Sequence, residues 1–146
     1  MNREHKFRGQ RVDTKEWVYG YLIRFSNQDF ICNQKEIPIG IFCFNKPNGE
    51  RVNAVSSMFS CFVEVLPETV GEYTGLTDRN GNEIYEDDAV KWLGIGIKYV
   101  GCVYWDKRKL YYIVKGIHCN RAIDTTDHEW FEIIGNTHDN PELMKA

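Results

Sequence analysis

The longest apolar runs in the 146 residues cover only a few positions, as in Ile41-Phe42-Cys43-Phe44, and there is no Cys-x-x-Cys pair and no excess of basic charge. Each absence excludes something. A bilayer-spanning helix needs about 20 consecutive apolar residues, so no membrane segment is expected. The opening Met1-Asn2-Arg3-Glu4-His5-Lys6 leads into Phe7-Arg8-Gly9 without the apolar core of a secretory signal, which points to a cytoplasmic chain. The five cysteines, Cys32, Cys43, Cys61, Cys102 and Cys119, are odd in number and widely spaced, fitting neither a disulfide framework nor a zinc ribbon. Four of them have apolar or aromatic neighbours and read as small buried hydrophobes in a reducing compartment. Neither G-x-S-x-G nor G-x-x-x-x-G-K occurs, so a nucleophile elbow and a phosphate-cradling P-loop are both missing. With 18 Lys+Arg against 21 Asp+Glu, a net charge of -3 and a pI near 5.8, the chain lacks the strongly basic footprint of a dedicated nucleic-acid binder.

What the sequence does have is aromatic area: 8 Phe, 8 Tyr and 4 Trp, far more than a disordered chain carries. Turn residues recur at short intervals between runs rich in Val, Ile, Phe, Tyr and Trp, which is the spacing of antiparallel β-structure. Lys6 to Arg11 and Glu16 to Arg24 read as strands joined through Val12-Asp13-Thr14-Lys15, with Trp17, Tyr19, Tyr21 and Ile23 on one face. A short strand follows at Asp29 to Cys32. Residues 33–57 are the least regular stretch, read as a hairpin around Pro47-Asn48-Gly49 or as a loop. Phe62 to Leu66 is a strand ended by Pro67. Asn80-Gly81 has the composition of a two-residue type I′ turn, with positive φ at both residues. Asp88 to Leu93 and Ile97 to Trp105 form a hairpin bent at Gly94-Ile95-Gly96, and Leu110 to Val114 pairs with the latter strand across Asp106-Lys107-Arg108-Lys109. After a last strand over Trp130 to Asn136, Asn140-Pro141-Glu142-Leu143 resembles a helix start capped by Asn140. The organisation is thus all-β with a minor helical part. It divides into a hairpin subdomain over 1–70, with 9 basic and 8 acidic residues, and a second over 71–146, with 9 and 13. The expected core comprises Trp17, Tyr19, Val63, Val65, Tyr73, Leu76, Ile84, Val90, Trp92, Val103, Ile113, Ile133 and Ile134.

Candidate chemistry is sparse. Glu86-Asp87-Asp88 supplies three carboxylates to a metal-assisted hydrolase, although a hard-cation site needs several convergent oxygens. His118, Cys119, His128 and His138 match no zinc-ligand spacing, and Ser56, Ser57 and Ser60 lie outside any nucleophile motif. The most pronounced surface feature is the hairpin tip Lys107, Arg108 and Lys109 with the flanking Tyr104 and Tyr111. Together with Arg8 and Arg11 of the basic N-terminal strand, it would form a contact surface for nucleic acid or a protein partner. Charged tips also serve simply to protect sheet edges.

Three blocks are similar to the YopX-like proteins of bacteriophages and prophages. The first is Lys6-Phe7-Arg8-Gly9-Gln10-Arg11 continuing through Glu16-Trp17-Val18-Tyr19-Gly20-Tyr21-Leu22. The second runs from Pro67 through Gly75-Leu76-Thr77-Asp78-Arg79-Asn80-Gly81 to Glu86, and the third is Glu132-Ile133-Ile134-Gly135-Asn136 with Asn140-Pro141-Glu142-Leu143. The resemblance spans residues 6 to 143. It implies an all-β fold with an SH3-like barrel in the C-terminal half, closed by a short C-terminal helical turn, and it implies no catalytic residues. Where the family pattern reads Tyr-Glu-Gly-Asp, this chain has Tyr85-Glu86-Asp87-Asp88, so Asp87 is expected to take any positive φ the glycine would. SH3-like barrels use surface aromatics to dock peptides. The resulting expectation is a phage accessory protein without cofactor, acting as a protein-interaction module on a host or phage protein. Nucleic-acid binding and metal-assisted hydrolysis are the alternatives. A homo-oligomer is expected from the strand at 16–24, which is apolar on both faces.

Overall fold

The computed structural model describes residues 4–32, 62–117, 119–125 and 128–145, so the hairpin expected within 33–57, the three serines and His118 lie outside the described residues. The fold is mostly β. Its chain divides into two compact units, residues 6–70 and residues 71–146 with 1–5.

In the first unit the strands β1 (Phe7–Gln10), β2 (Trp17–Phe25), β3 (Gln28–Cys32) and β4 (Phe62–Val65) form an antiparallel meander. Two kinds of turn set its register. Lys15, at φ 64, closes the four-residue β1–β2 loop by donating its N–H to the Arg11 carbonyl, while Arg11 N–H bonds the Glu16 carbonyl. Ser26 and Asn27, at φ 48 and 66, make the two-residue β2–β3 turn of type I′, whose twist matches that of the strands. The meander curls until its ends meet: Arg11 bridges Val65, and Leu66 N–H bonds the Gln10 carbonyl. Gly9 is required at that meeting point, because a Cβ there would lie 2.9 Å from the Val65 side chain. Thr69, in the 3-10 turn Pro67–Thr69, fastens the closure by accepting the Gln10 N–H and donating to the Leu66 carbonyl. Ile31, Cys32 and Val65 are buried here. Tyr19, expected in the core, is 43% exposed and shares an outward face with the exposed Tyr21 and Phe25. Periodicity placed Tyr19 and Tyr21 on one face, and both remain exposed.

The second unit begins with the ribbon β5 (Gly71–Thr77) and β6 (Glu83–Tyr85). A five-stranded antiparallel sheet follows, built from β7 (Asp88–Gly94), β8 (Ile97–Asp106), β9 (Tyr111–Gly116), β10 (Asn120–Ala122) and β11 (Glu132–Asn136) in the order β10-β9-β8-β7-β11. Among the described residues β10 and β11 are not paired, so the sheet is open and not a closed barrel. Ile84, Val90, Trp92, Val103, Tyr112, Val114, Ile123 and Phe131 form one buried cluster, with the Trp92 and Phe131 rings 5.6 Å apart. The helical part consists of 3-10 turns, including His128–Trp130 and Pro141–Met144. Asn140 precedes the last of these without making a capping side-chain hydrogen bond.

The Asn80-Gly81 turn departs from expectation. Only Gly81 has positive φ, at 83. Gly81 N–H bonds the Asp78 carbonyl, and Asp78 N–H bonds the Asn82 carbonyl. This is a three-residue loop whose first part is a type I turn. The reason is Asp78, whose carboxylate accepts the N–H groups of both Asn80 and Asn82 at 2.9 Å and so holds Asn80 out of the left-handed region.

Candidate binding surface

The true two-residue type I′ turn of the second unit joins β7 to β8, with Ile95 at φ 49 and Gly96 at φ 77. A β-branched residue is the least suited side chain for that conformation. Ile95 is also fully exposed, so no packing compensates the strain. Replacing Ile95 by asparagine is therefore expected to raise stability by about 1 kcal/mol, read as a higher urea midpoint at unchanged slope.

Leu93 and Ile97 flank this turn on opposite faces of the hairpin, since Leu93 pairs with Lys98 and Ile97 with Gly94. Leu93, Ile97 and Trp130 are each 57% exposed. Beside them a groove of about 550 Å³ is lined by Trp92, Leu93 and Trp130, with Arg79, Lys91, Lys98, Glu129 and Glu132 around it. Glu132 carries two cations, Lys91 at 2.9 Å and Arg79 at 4.0 Å. The floor is fixed by the chain on either side: Arg79 N–H bonds the Phe131 carbonyl at 3.0 Å, and Ile133 N–H bonds Asp78 Oδ2 at 3.1 Å. The Asp78 carboxyl is held below its ordinary range; burial opposes this, but the N–H groups of Ile133, Asn82 and Asn80 outweigh it.

The sequence-derived candidates are distributed as follows. Lys107, Arg108 and Lys109 lie in the β8–β9 loop, exposed, with Leu110 at φ 59 completing a four-residue connection like that of Lys15. Asp106 organises this tip by accepting the N–H groups of Arg108 and Lys109. Although burial works against it, those donors and the two cations keep the Asp106 carboxyl low. Tyr104 and Tyr111 share the face opposite the core, and Lys109 sits 5.9 Å from the Tyr111 ring centre. Arg8 and Arg11 belong to the other unit and are engaged locally. Arg8 is only 6% exposed and lies 4.7 Å over the Trp17 ring. Arg11 makes a bidentate pair with Asp13, which depresses the Asp13 carboxyl through that hydrogen bond.

The three carboxylates of Glu86, Asp87 and Asp88 serve separate partners. Glu86 accepts the Glu72 N–H, Asp88 accepts the Tyr85 N–H, and Asp87 Oδ2 is 3.0 Å from His138 Nε2. Asp87, which stands where the family pattern has glycine, has a positive φ of 68. Among the described residues no group of three or more His, Cys, Asp or Glu is arranged to hold a metal ion. His128 is turned onto the Thr77 carbonyl, with Nδ1 at 2.6 Å.

Leu93, Ile95, Ile97 and Trp130 were not singled out from the sequence, because apolar residues in a strand read as core. One signal was present: an isoleucine between two glycines at a bend, where turn chemistry calls for Asn, Asp or Gly.

The arrangement defines an open all-β protein with a solvent-exposed apolar groove. A family model described as YopX protein matches residues 6–145, nearly the whole chain, and the protein belongs to that family. A search of curated proteins finds no match. No helix among the described residues is long and apolar enough to cross a membrane.

Proposed function

We propose that the protein is a non-catalytic interaction module of phage or prophage origin, acting in the cytoplasm on a host or phage protein through the β7–β8 hairpin and the groove beside Trp130. One observation carries this reading: Ile95 is strained, fully exposed and without a structural task, in a hairpin that also exposes Leu93 and Ile97. The five-stranded order, a meander of β7 to β10 with β11 returning beside β7 after a 3-10 turn, supports an SH3-like reading of the second unit, a fold class that docks peptides. Capture from host cells by wild-type protein and by a Leu93→Ser, Ile95→Asn, Trp130→Ala variant tests it. A partner retained by the first and lost by the second, at comparable thermal stability, is the expected outcome. Equal capture by both argues against this surface. The exposed Tyr19, Tyr21 and Phe25 favour self-association as an additional contact, which sedimentation equilibrium of a Phe25→Ser variant tests.

Nucleic-acid binding is the second reading, favoured by the common outer face of Tyr104 and Tyr111 beside three tip cations. Single-stranded DNA would then bind with a log-log salt slope of about -2, as for three neutralised phosphates. The Lys107, Arg108 and Lys109 triple-alanine variant should lose that binding, and no binding by wild type at low salt rejects the idea.

A further inference from the structure

β7 is longer than the strand that covers it. β11 pairs with β7 only as far as Glu132↔Lys91, after which the chain is in the 3-10 turn His128–Trp130. Trp92, Leu93 and Gly94 pair with Tyr99, Lys98 and Ile97 of β8 on one side. On the other side, no strand among the described residues pairs with them. Successive residues of an antiparallel strand direct their N–H and C=O groups alternately to the two sides. One of Trp92 and Leu93 therefore presents both groups away from β8, towards the place where a longer β11 would have run. That place is the groove of about 550 Å³.

We propose that the open edge of β7 accepts a short extended acidic peptide as an added strand, with one apolar side chain seated against Trp130. This rests on the interaction-module reading and specifies the partner's chemistry. These three positions at ~3.4 Å per residue give an edge of about 10 Å, room for a guest of three or four residues that meets one outward N–H and C=O pair. That pair of backbone hydrogen bonds fixes the guest's register, and burial of its apolar side chain adds to the affinity. Because side chains alternate, those of the guest fall by turns against Trp130 and against the exposed Leu93. The charge preference comes from the rim. Arg79, Lys91 and Lys98 face two carboxylates, and Glu132 is already shared by Arg79 and Lys91. Lys98, across β7 from the open edge on the face of Leu93, lines the same groove and is the remaining cation for a guest carboxylate.

The experiment titrates ¹⁵N-labelled full-length protein with Ac-Asp-Val-Phe-Val-Asp-NH2, its Lys-for-Asp counterpart, and a form N-methylated at the central amides. The acidic peptide is expected to shift the Leu93 and Gly94 amides and the Trp130 indole with a Kd of roughly 0.1–1 mM, as suits a contact far below standard interface size. The basic peptide should bind at least about tenfold more weakly. The N-methylated form should not bind. Undiminished binding of the N-methylated peptide overturns strand addition, and equal binding of the basic peptide overturns the acidic preference. No shift at millimolar peptide overturns the proposal altogether. A concentration-dependent dimer abolished by Lys98→Glu would overturn it too, by making a second copy the occupant. The cellular capture experiment is independent of all of these, so the interaction reading can survive their failure.

Discussion

Asp78→Ala is expected to lower the free energy of unfolding by about 3 kcal/mol, measured by urea denaturation. The side chain is 3% exposed, and its carboxylate accepts the backbone N–H groups of Asn80, Asn82 and Ile133. The first two fix the β5–β6 loop. The third reaches 55 residues along the chain to the start of β11, beside the Arg79 N–H bond to Phe131. A single carboxylate thus stands in for the neighbouring strand that β11 lacks at this point. Hydrogen bonds to a charged acceptor contribute about 1.5–3 kcal/mol each. Asn80 and Asn82 are exposed, and water replaces much of what their N–H groups lose; Ile133 is less accessible and contributes the larger share. Asp78→Asn should cost about half as much, because Oδ1 is kept while an amide N–H₂ is turned towards Ile133 N–H.

The same site gives a pH dependence. The folded-state pKa of Asp78 lies below its ordinary value of 3.8. Its contribution is therefore complete above about pH 3.8 and is lost as pH falls through the folded value. The stability gap between wild type and Asp78→Asn should narrow in acid below that pH and stay constant from pH 5 to 7. A gap independent of pH down to 2 would show that the carboxylate's charge is not what matters.

Gly101→Ala is the second large effect, also about 3 kcal/mol, seen as a melting temperature lower by roughly 6–12 °C. A Cβ at Gly101 would lie 2.6 Å from Val114 Cγ1, 2.9 Å from the Lys115 carbonyl oxygen and 3.0 Å from Gly116 N. Val114 is fully buried in the core cluster, and the other two atoms belong to the backbone of β9. Nothing there can move without opening the β8–β9 ladder. Gly94→Ala is the control: its Cβ meets only the edge of the Tyr99 ring, at 3.2 Å, and the cost should stay below about 1 kcal/mol. Comparable losses for the two variants would show that the close contacts at Gly101 are not the cause.

Much of the strand layout was legible. The hairpins at 7–25, at 88–106 and at 97–116 follow from alternating apolar residues and the polar or glycine-containing segments between them. The four-residue link 12–15 was readable from its length and polarity, while the family pattern marked Asp87 as standing at a glycine position without settling its φ. Asn80-Gly81 misled because composition indicates a turn without specifying which, and the selection was made by the Asp78 side chain. At Gly94-Ile95-Gly96 the opposite happened: the bend was visible but not that an isoleucine would occupy a left-handed position. Tyr19 was grouped with the right face, and Arg8 was assigned to the surface although Trp17 lies beneath it. The groove was invisible because it depends on where β11 stops relative to β7.

The sequence by itself determined the all-β character, the order of the hairpins and the family. These follow from local periodicity, turn chemistry and blocks of contiguous residues. Only the tertiary structure decided which apolar side chains are exposed, which carboxylates serve backbone donors, and that, among the described residues, no second strand pairs with the end of β7. Periodicity says which side chains point the same way. Whether anything lies over them depends on strand lengths and on contacts between residues far apart in the chain, such as Asp78 with Ile133, and no local pattern encodes those.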